Sequence, residues 1–86
     1  QGFDGAQHNL AMMYIKGLGV TKNPDKAVFW YSKAAEQGFD LSQNNLAVMY
    51  FKGDGVPKDF KKAVFWYKKA AEQGLEISQI NLGYMY

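Results

Sequence analysis

The sequence predicts an all-α fold in which helical hairpins stack into an α/α solenoid, and three observations indicate this. The phrase KAVFWYSKAAEQG at residues 26–38 returns at 62–74 with one residue of thirteen changed. Displacing the chain by 36 residues superposes 1–50 on 37–86 without a gap, and 33 of the 50 positions are identical. Apolar residues within each repeat recur at helical spacing. A fixed period of this length is typical of repeat arrays, because each hairpin needs a neighbour to cover its apolar face.

The first helix of the repeat is expected three times, over residues 5–16, 41–52 and 77–86. Successive residues advance by about 100° around a helix, so Ala6, Leu10, Met13 and Tyr14 share one face, which we expect in the core. Glycine pairs follow the first two copies. Because glycine adopts positive φ readily, these pairs predict the ends of both helices.

The second helix of the repeat is expected to begin at Asn23 and Pro24, because asparagine is a good N-cap and proline suits the first helical position. Asp59 takes the capping position in the second repeat. The helix is expected to run to Gln37 or Gln73 and to stop at the next glycine. Its predicted buried stripe combines rings with alanines that let helices approach closely: Ala27, Val28, Trp30, Tyr31, Ala34 and Ala35, with equivalents from Ala63 to Ala71.

These elements predict one repeat domain over residues 1–86. We expect a first repeat at 1–38 that opens with the tail of a preceding unit, a second at 39–74, and the first helix of a third at 75–86. Arrays generally need about three units with polar caps to be stable and soluble. Apolar ends are therefore expected, and stacking of copies through those ends is a hypothesis.

The residue pattern resembles the Sel-one-like repeat family, a relative of the tetratricopeptide repeat. The matching residues of the second repeat are Leu46, Ala47, Tyr50, 53–56 (GDGV), Lys62, Ala63, Trp66, Tyr67 and 70–74 (AAEQG). Alanine replaces the usual glycine at Ala11 and Ala47, whereas Gly83 keeps it. The resemblance covers the whole chain. It implies a right-handed, tetratricopeptide-like superhelix that binds proteins or peptides as a scaffold or adaptor.

The composition offers little for catalysis or metal binding. Cysteine is absent and His8 is the only histidine, which excludes thiolate sites and histidine clusters. All ten basic residues are lysine, and the absence of arginine argues against specific nucleic-acid binding. No apolar run is long enough to span a membrane. The sequence therefore predicts no catalytic residue, cofactor or metal, and a small-molecule or hydrolase role has no supporting residues.

In the geometry that the resemblance implies, the first helices line the concave wall of the solenoid. Side chains about 140–200° from Leu10 point away from the predicted core. This face and its margins predict a trough for a protein or peptide partner, made by His8, Asn9, Met12, Ile15, Lys16, Leu41, Asn44, Asn45, Val48, Phe51, Lys52, Ile77, Ile80, Asn81 and Tyr84. The alternative is that curvature packs neighbouring helices together and covers much of this surface.

Asparagine recurs once per repeat at the margin of the trough, as Asn9, Asn45 and Asn81. A carboxamide donates and accepts hydrogen bonds, so it can pair with a peptide backbone of any sequence. Related tetratricopeptide proteins use an asparagine at the matching position to hold extended peptides. The alternative is a hydrogen bond to a neighbouring helix or turn. Both interpretations remain open from the sequence.

Phe29 and Phe65 lie on the polar side of the second helix, opposite the alanine stripe. Stacked repeats would align the two rings on the convex wall as a candidate contact surface, unless a neighbouring helix and lysine stems shield them. The lysines near Phe65 indicate either a solvated face or contact with an acidic partner or membrane surface. A self-assembly element that uses the repeat ends and this convex patch is therefore the alternative to a peptide-binding scaffold.

Overall fold

The computed structural model describes residues 2–85, with side chains from residue 5 onward, and all regular structure in this range is α-helical. The helices are α1 (Gly2–Lys16), α2 (Pro24–Glu36), α3 (Asp40–Lys52), α4 (Phe60–Glu72) and α5 (Glu76–Met85). Each helix packs mainly against its neighbours in sequence, so α1–α2 and α3–α4 form hairpins and α5 packs on α4. The predicted all-α array is confirmed. Gln1 and Tyr86, which the repeat comparison includes, lie outside the described residues.

The second helices begin and end as predicted. Asn23 caps α2, because its side-chain oxygen accepts a hydrogen bond from the Lys26 N–H at 3.2 Å. Asp59 caps α4 in the same way, accepting from the Lys62 N–H at 3.1 Å. Both helices end before Gln37 or Gln73. Equivalent residues therefore give equivalent local structure in both repeats.

The first helices differ more at their starts than at their ends. Helix α3 ends at Gly53, whose φ of 75° is left-handed and whose N–H donates to the Met49 carbonyl at 2.8 Å. Helix α3 begins at Asp40, after Gly38 leaves α2 with a φ of 95°. Helix α1 instead begins at Gly2, three residues before the predicted start. The glycine positions therefore mark the helix ends better than they mark the helix starts.

The core runs across both repeats as two adjoining clusters. The first joins α1, α2 and α3 through Ala11, Ala27, Tyr31, Ala35, Leu46 and Met49. The second joins α3 to α4 through Ala47, Ala63 and Tyr67, and Tyr50 and Trp66 contact both clusters. The core expectation for α1 was wrong at Ala6 and Met13, which are exposed. No helix in the described chain packs against that side of α1.

Candidate functional site

Two cavities open on the face formed by the first helices of the repeats, and we call them the first-helix cavities. They are numbered in chain order. The first has a volume of about 330 Å³ and lies between α1 and α3. It is lined by Met12, Ile15, Lys16, Tyr31, Asn45, Val48, Met49, Lys52 and Asp54. The second has a volume of about 310 Å³ and lies between α3 and α5. It is lined by Phe51, Tyr67, Asn81, Tyr84 and Met85.

The second cavity repeats the first by the same 36-residue period as the sequence. All five of its lining residues have an equivalent in the first cavity: Ile15 and Phe51, Tyr31 and Tyr67, Asn45 and Asn81, Val48 and Tyr84, Met49 and Met85. Each cavity thus has an asparagine and a buried tyrosine at equivalent positions, and the second cavity has a further tyrosine, Tyr84. Stacking of similar hairpins produces this regularity, because each junction brings the same positions together.

The two cavities differ in the size and charge of their walls. Aliphatic side chains line the first cavity, and Lys16, Lys52 and Asp54 lie at its edge, all three exposed. Rings dominate the second, where Tyr84 is 86% exposed and Phe51 also contacts the Phe60 ring at 5.6 Å between centroids. The two cavities therefore differ in shape and in the charge at their edges.

The asparagine of each cavity makes a hydrogen bond to a neighbouring side chain. The Asn45 Nδ2 donates to the Tyr31 hydroxyl at 3.3 Å, and the Asn81 Nδ2 donates to the Asn44 Oδ1 at 3.3 Å. Asn9 is exposed. No donor within the described residues reaches the Asn81 Oδ1. Asn45 and Asn81 thus make side-chain hydrogen bonds of the kind that the structural interpretation expects, and the Asn81 Oδ1 accepts none from the residues that the structure describes.

The hydroxyls of Tyr31 and Tyr67, the buried tyrosines of the two cavities, are neutral at physiological pH because their pKa values are raised. Burial raises the pKa of Tyr31, opposed in part by the hydrogen bond from Asn45. Burial also raises the pKa of Tyr67. A neutral phenol both donates and accepts, so each cavity contains a group that can pair with either a backbone N–H or a backbone C=O.

Two residues predicted to line the trough are instead buried between first helices. His8 is 6% exposed, with its Nδ1 2.7 Å from the Ser42 Oγ and its ring against Tyr31 and Phe39. Burial lowers the pKa of His8, while the nearby Asp40 charge raises it. Asn44 is also 6% exposed. The helical angle alone was misleading here, because this position faces the first helix of the next repeat.

Asn44 occupies the place of His8 at the second junction. Its Oδ1 accepts a hydrogen bond from the Ser78 Oγ at 2.8 Å, and Ser42 and Ser78 are both fully buried. The junction thus pairs a larger polar residue with a serine 34 residues later. A polar residue and a serine recurring at fixed repeat positions were the signal in the sequence for this contact.

The remaining predicted trough residues divide by exposure. Met12, Ile15 and Val48 are half-buried and pack against the core clusters while lining the first cavity. Three exposed apolar residues line neither cavity, namely Leu41, Ile77 and Ile80. The structure therefore brings together the middle and C-terminal parts of the first helices, and it leaves their N-terminal turns outside the cavities.

A row of glutamines joins the repeats, and sequence reasoning had not singled it out. The Gln43 Nε2 donates to the Ala35 carbonyl at 3.1 Å, and its Oε1 accepts from the Gln73 Nε2 at 2.8 Å. Equivalent bonds run from Gln37 to Gln7 at 2.8 Å and from Gln79 to the Ala71 carbonyl at 3.2 Å. The signal was present in the recurrence of glutamine at these positions, which the packing of the repeats explains.

The second helices expose one phenylalanine each on their outer side. Phe29 is 52% exposed and Phe65 is 50% exposed. Each ring meets the next residue, Trp30 or Trp66, edge to face at about 5 Å, with the amine of Lys33 or Lys69 lying 5.4 Å from the phenylalanine centroid. Lysine stems and tryptophan thus shield these rings only in part.

Neither a metal-binding cluster nor a membrane-spanning helix is found in the part of the chain that the structure describes. No group of three or more histidine, aspartate or glutamate side chains is placed to hold a metal ion there. None of the described helices combines the length and apolar character needed to cross a membrane.

The fold and the repeated cavities are those of a helical repeat protein. The chain belongs to the Sel1 repeat family, whose model matches residues 5–39, 40–75 and 77–86. Proteins of this family are generally non-catalytic scaffolds for protein interactions. No curated protein matches the chain significantly.

Three solved structures superpose closely on the chain. A Sel1 repeat protein from Oxalobacter formigenes is 48% identical with a TM-score of 0.94 over 95% of this chain. A protective antigen of uropathogenic Escherichia coli strains, which displays an SLR fold, is 48% identical with a TM-score of 0.96 over 99%. Helicobacter pylori cysteine-rich protein B is 31% identical with a TM-score of 0.84 over 87%. The chain spans 34%, 18% and 56% of these three proteins, respectively.

Proposed function

We propose that the chain is a non-catalytic interaction module whose first-helix face binds an extended segment of a partner protein across both cavities. The recurrence of the same five positions in the two cavities carries this proposal. A ligand that follows the array would meet the same five positions, with an asparagine and a buried tyrosine among them, once per repeat. Family membership supports a protein partner rather than a small substrate.

The polar groups of the cavities favour an extended partner over a helical one. A helix has already paired its backbone N–H and C=O groups, whereas an extended segment has them free. The Asn81 Oδ1 and the Tyr67 hydroxyl line the second cavity and have no partner within the described residues. They are suited to a backbone N–H and a backbone C=O, respectively. Side chains of the segment would then enter the apolar parts of the cavities.

Selection of peptides from a random library on the folded chain tests this proposal. We expect the selected peptides to lose about tenfold in affinity for Tyr84→Ala and for Asn81→Ala, as residues at the centre of an interface do. Tyr84 is so exposed that its truncation leaves the core intact. Phe29→Ala, on the outer side, is the matched control and should bind normally. Unchanged affinity for both cavity variants would contradict the proposal.

Self-association is the second candidate function, favoured by the exposed apolar residues of α5. Ile77 and Ile80 are both more than half exposed and lie outside the cavities. Contiguous apolar surface of this kind often marks a protein interface. Light scattering over a wide range of concentrations tests it. Growth of the mass with concentration is expected, and a monomer throughout the range would eliminate the idea.

A further inference from the structure

The net positive charge of the protein is concentrated in the segment 58–72, which contains α4. Five lysines against Asp59 and Glu72 give this segment a net charge of +3, whereas the whole chain carries +2, so the remainder sums to −1. All five lysines are exposed: Lys58, Lys61, Lys62, Lys68 and Lys69. A concentration of one sign of charge attracts ligands of the other sign and speeds their association.

The acids of the segment lower its net charge to +3 but form no ion pair with its lysines within the described residues. The Asp59 carboxylate is engaged in capping α4, where it accepts the Lys62 N–H. No lysine of the segment forms an ion pair with an acid in the described part of the chain. Two of the amines lie over aromatic rings on the first-helix side, Lys58 over Phe60 and Lys62 over Tyr50. Lys61 and Lys68 have no such partner among the residues that the structure describes, and their amines are exposed.

Phe65 stands among these lysines as a half-exposed ring between two recesses. The first recess, of about 270 Å³, is lined by Phe65, Lys68, Lys69 and Glu72. The second, of about 290 Å³, lies where the end of α2 meets α4 and is lined by Ala35, Glu36, Gly38, Gln43, Phe65, Trp66 and Lys69. The recesses leave space beside this ring for an apolar side chain of another molecule, with lysine ammonium groups on either side.

Helix α2 provides a comparison within the same chain, because it carries the equivalent phenylalanine in a segment of lower net charge. The Phe29 ring has the same exposure, tryptophan contact and lysine as Phe65. Segment 22–36, equivalent to 58–72, has three lysines and two acids and a net charge of +1. Lys61 and Lys68 of α4 replace Asp25 and Ser32 of α2, which adds three units of charge, and Asp59 in place of Asn23 removes one.

We propose that the outer face of α4 is a second interaction surface, which binds an acidic segment of a partner protein that carries an apolar side chain. Carboxylates of the segment meet Lys61 and Lys68, and its apolar side chain lies in a recess beside Phe65. Binding to a membrane surface would require several apolar side chains projecting together from one helix face. On this face a single ring projects, with recesses on both sides. That shape suits a side chain better than a bilayer.

Exchange of residues between the two helices tests the proposal within one molecule. The probe is a fluorescent peptide with a central leucine flanked by glutamates, measured by anisotropy at low and physiological salt. We expect Lys61→Asp with Lys68→Ser to weaken binding about tenfold, because three units of charge change at the rim of the site. The reverse exchange, Asp25→Lys with Ser32→Lys, should strengthen it. These changes use residues already present at the equivalent positions, of which only Ser32 is half-buried, and circular dichroism verifies folding.

Further binding measurements decide the outcome. Phe65→Ala and a peptide with serine in place of leucine should each weaken binding about threefold or more, as loss of a small apolar contact does. Equal binding of the glutamate peptide by the wild type and the Lys61→Asp/Lys68→Ser variant would overturn the proposal. Tighter binding to phosphatidylserine vesicles or to single-stranded RNA than to the peptide would also overturn it. Tyr84→Ala should leave this peptide unaffected, which separates this surface from the first-helix cavities.

Discussion

The loop after α1 and the loop after α3 have the same backbone conformation but different surroundings. Gly19 has a φ of 74° and Gly55 a φ of 72°. A Cβ atom added at Gly19 would meet only the Met13 Cε, at 3.9 Å, whereas one added at Gly55 would lie 2.7 Å from both the carbonyl carbon and the oxygen of Pro24. The second loop therefore forms part of the junction between repeats. Equivalent residues of the two loops adopt the same local conformation. How much each residue contributes to the free energy of unfolding depends on the residues that pack against it.

The burial of equivalent residues in the first helices also depends on which elements pack against them. Leu46 of α3 is fully buried, whereas the equivalent Leu10 and Leu82 are half-buried. His8 and Asn44 are covered by the following first helix, but the equivalent Ile80 is 56% exposed. The middle first helix is covered on both sides, so its side chains contribute most to the core.

The largest effect is expected for truncation of the middle leucine. Leu46→Ala removes a fully buried side chain and should lower the free energy of unfolding by about 2–5 kcal/mol. Leu10→Ala, the matched change in α1, should cost about half as much because water already reaches that side chain. Urea denaturation of both variants measures the difference. Equal losses would show that the two repeats contribute equally to stability.

The two loop glycines provide the next comparison. Gly19→Ala and Gly55→Ala both place a side chain on a left-handed backbone, which costs about 1–2 kcal/mol. Gly55→Ala also drives the Cβ into the Pro24 backbone and should lose about 1–3 kcal/mol more. Thermal and urea unfolding of the pair test this. If Gly19→Ala proves the more damaging change, the loop contact to Pro24 is not important for stability.

A smaller effect is expected from the glutamine row. Gln43→Ala removes a buried side chain that makes two hydrogen bonds and should cost about 1–3 kcal/mol. Gln79→Ala removes one hydrogen bond of an exposed side chain, and about 0.5 kcal/mol is expected. The same unfolding measurement applies. A larger loss for Gln79→Ala would contradict the idea that position within the array determines the contribution.

The smallest expected effect is the pH dependence that His8 gives to the free energy of unfolding. Burial holds the pKa of His8 in the folded chain below its ordinary value of 6.5, so the folded state disfavours protonation. Its contribution to stability is therefore complete above pH 6.5 and is lost as the pH falls from there through the lower, folded-state pKa. His8→Asn, the residue found at the equivalent position 44, should lose less stability than the wild type over this range. Parallel pH profiles of unfolding would contradict the assignment.

Much of the local structure was predictable because it depends on short-range interactions. Asn23 and Asp59 were identified as caps from their side chains and positions, and the stripe through Ala27 and Tyr31 followed from helical spacing. The burial of His8 was not predicted because the angle around one helix does not tell which neighbouring helix will cover it. The glutamine row escaped notice for the same reason, since its bonds join different helices and two of them join residues that are 30 positions apart.

The sequence by itself determined the 36-residue repeat, the helices, their caps and the left-handed glycines, because each depends on contacts within a few residues. Only the tertiary structure decided which copy of a repeated position is buried. Stacking encloses Leu46 while leaving Leu10 half-buried, and it crowds Gly55 while leaving Gly19 open. It also placed the two first-helix cavities at the junctions, where residues from different repeats meet. Burial and cavities are properties of the relation between repeats, and a single repeat does not contain that information.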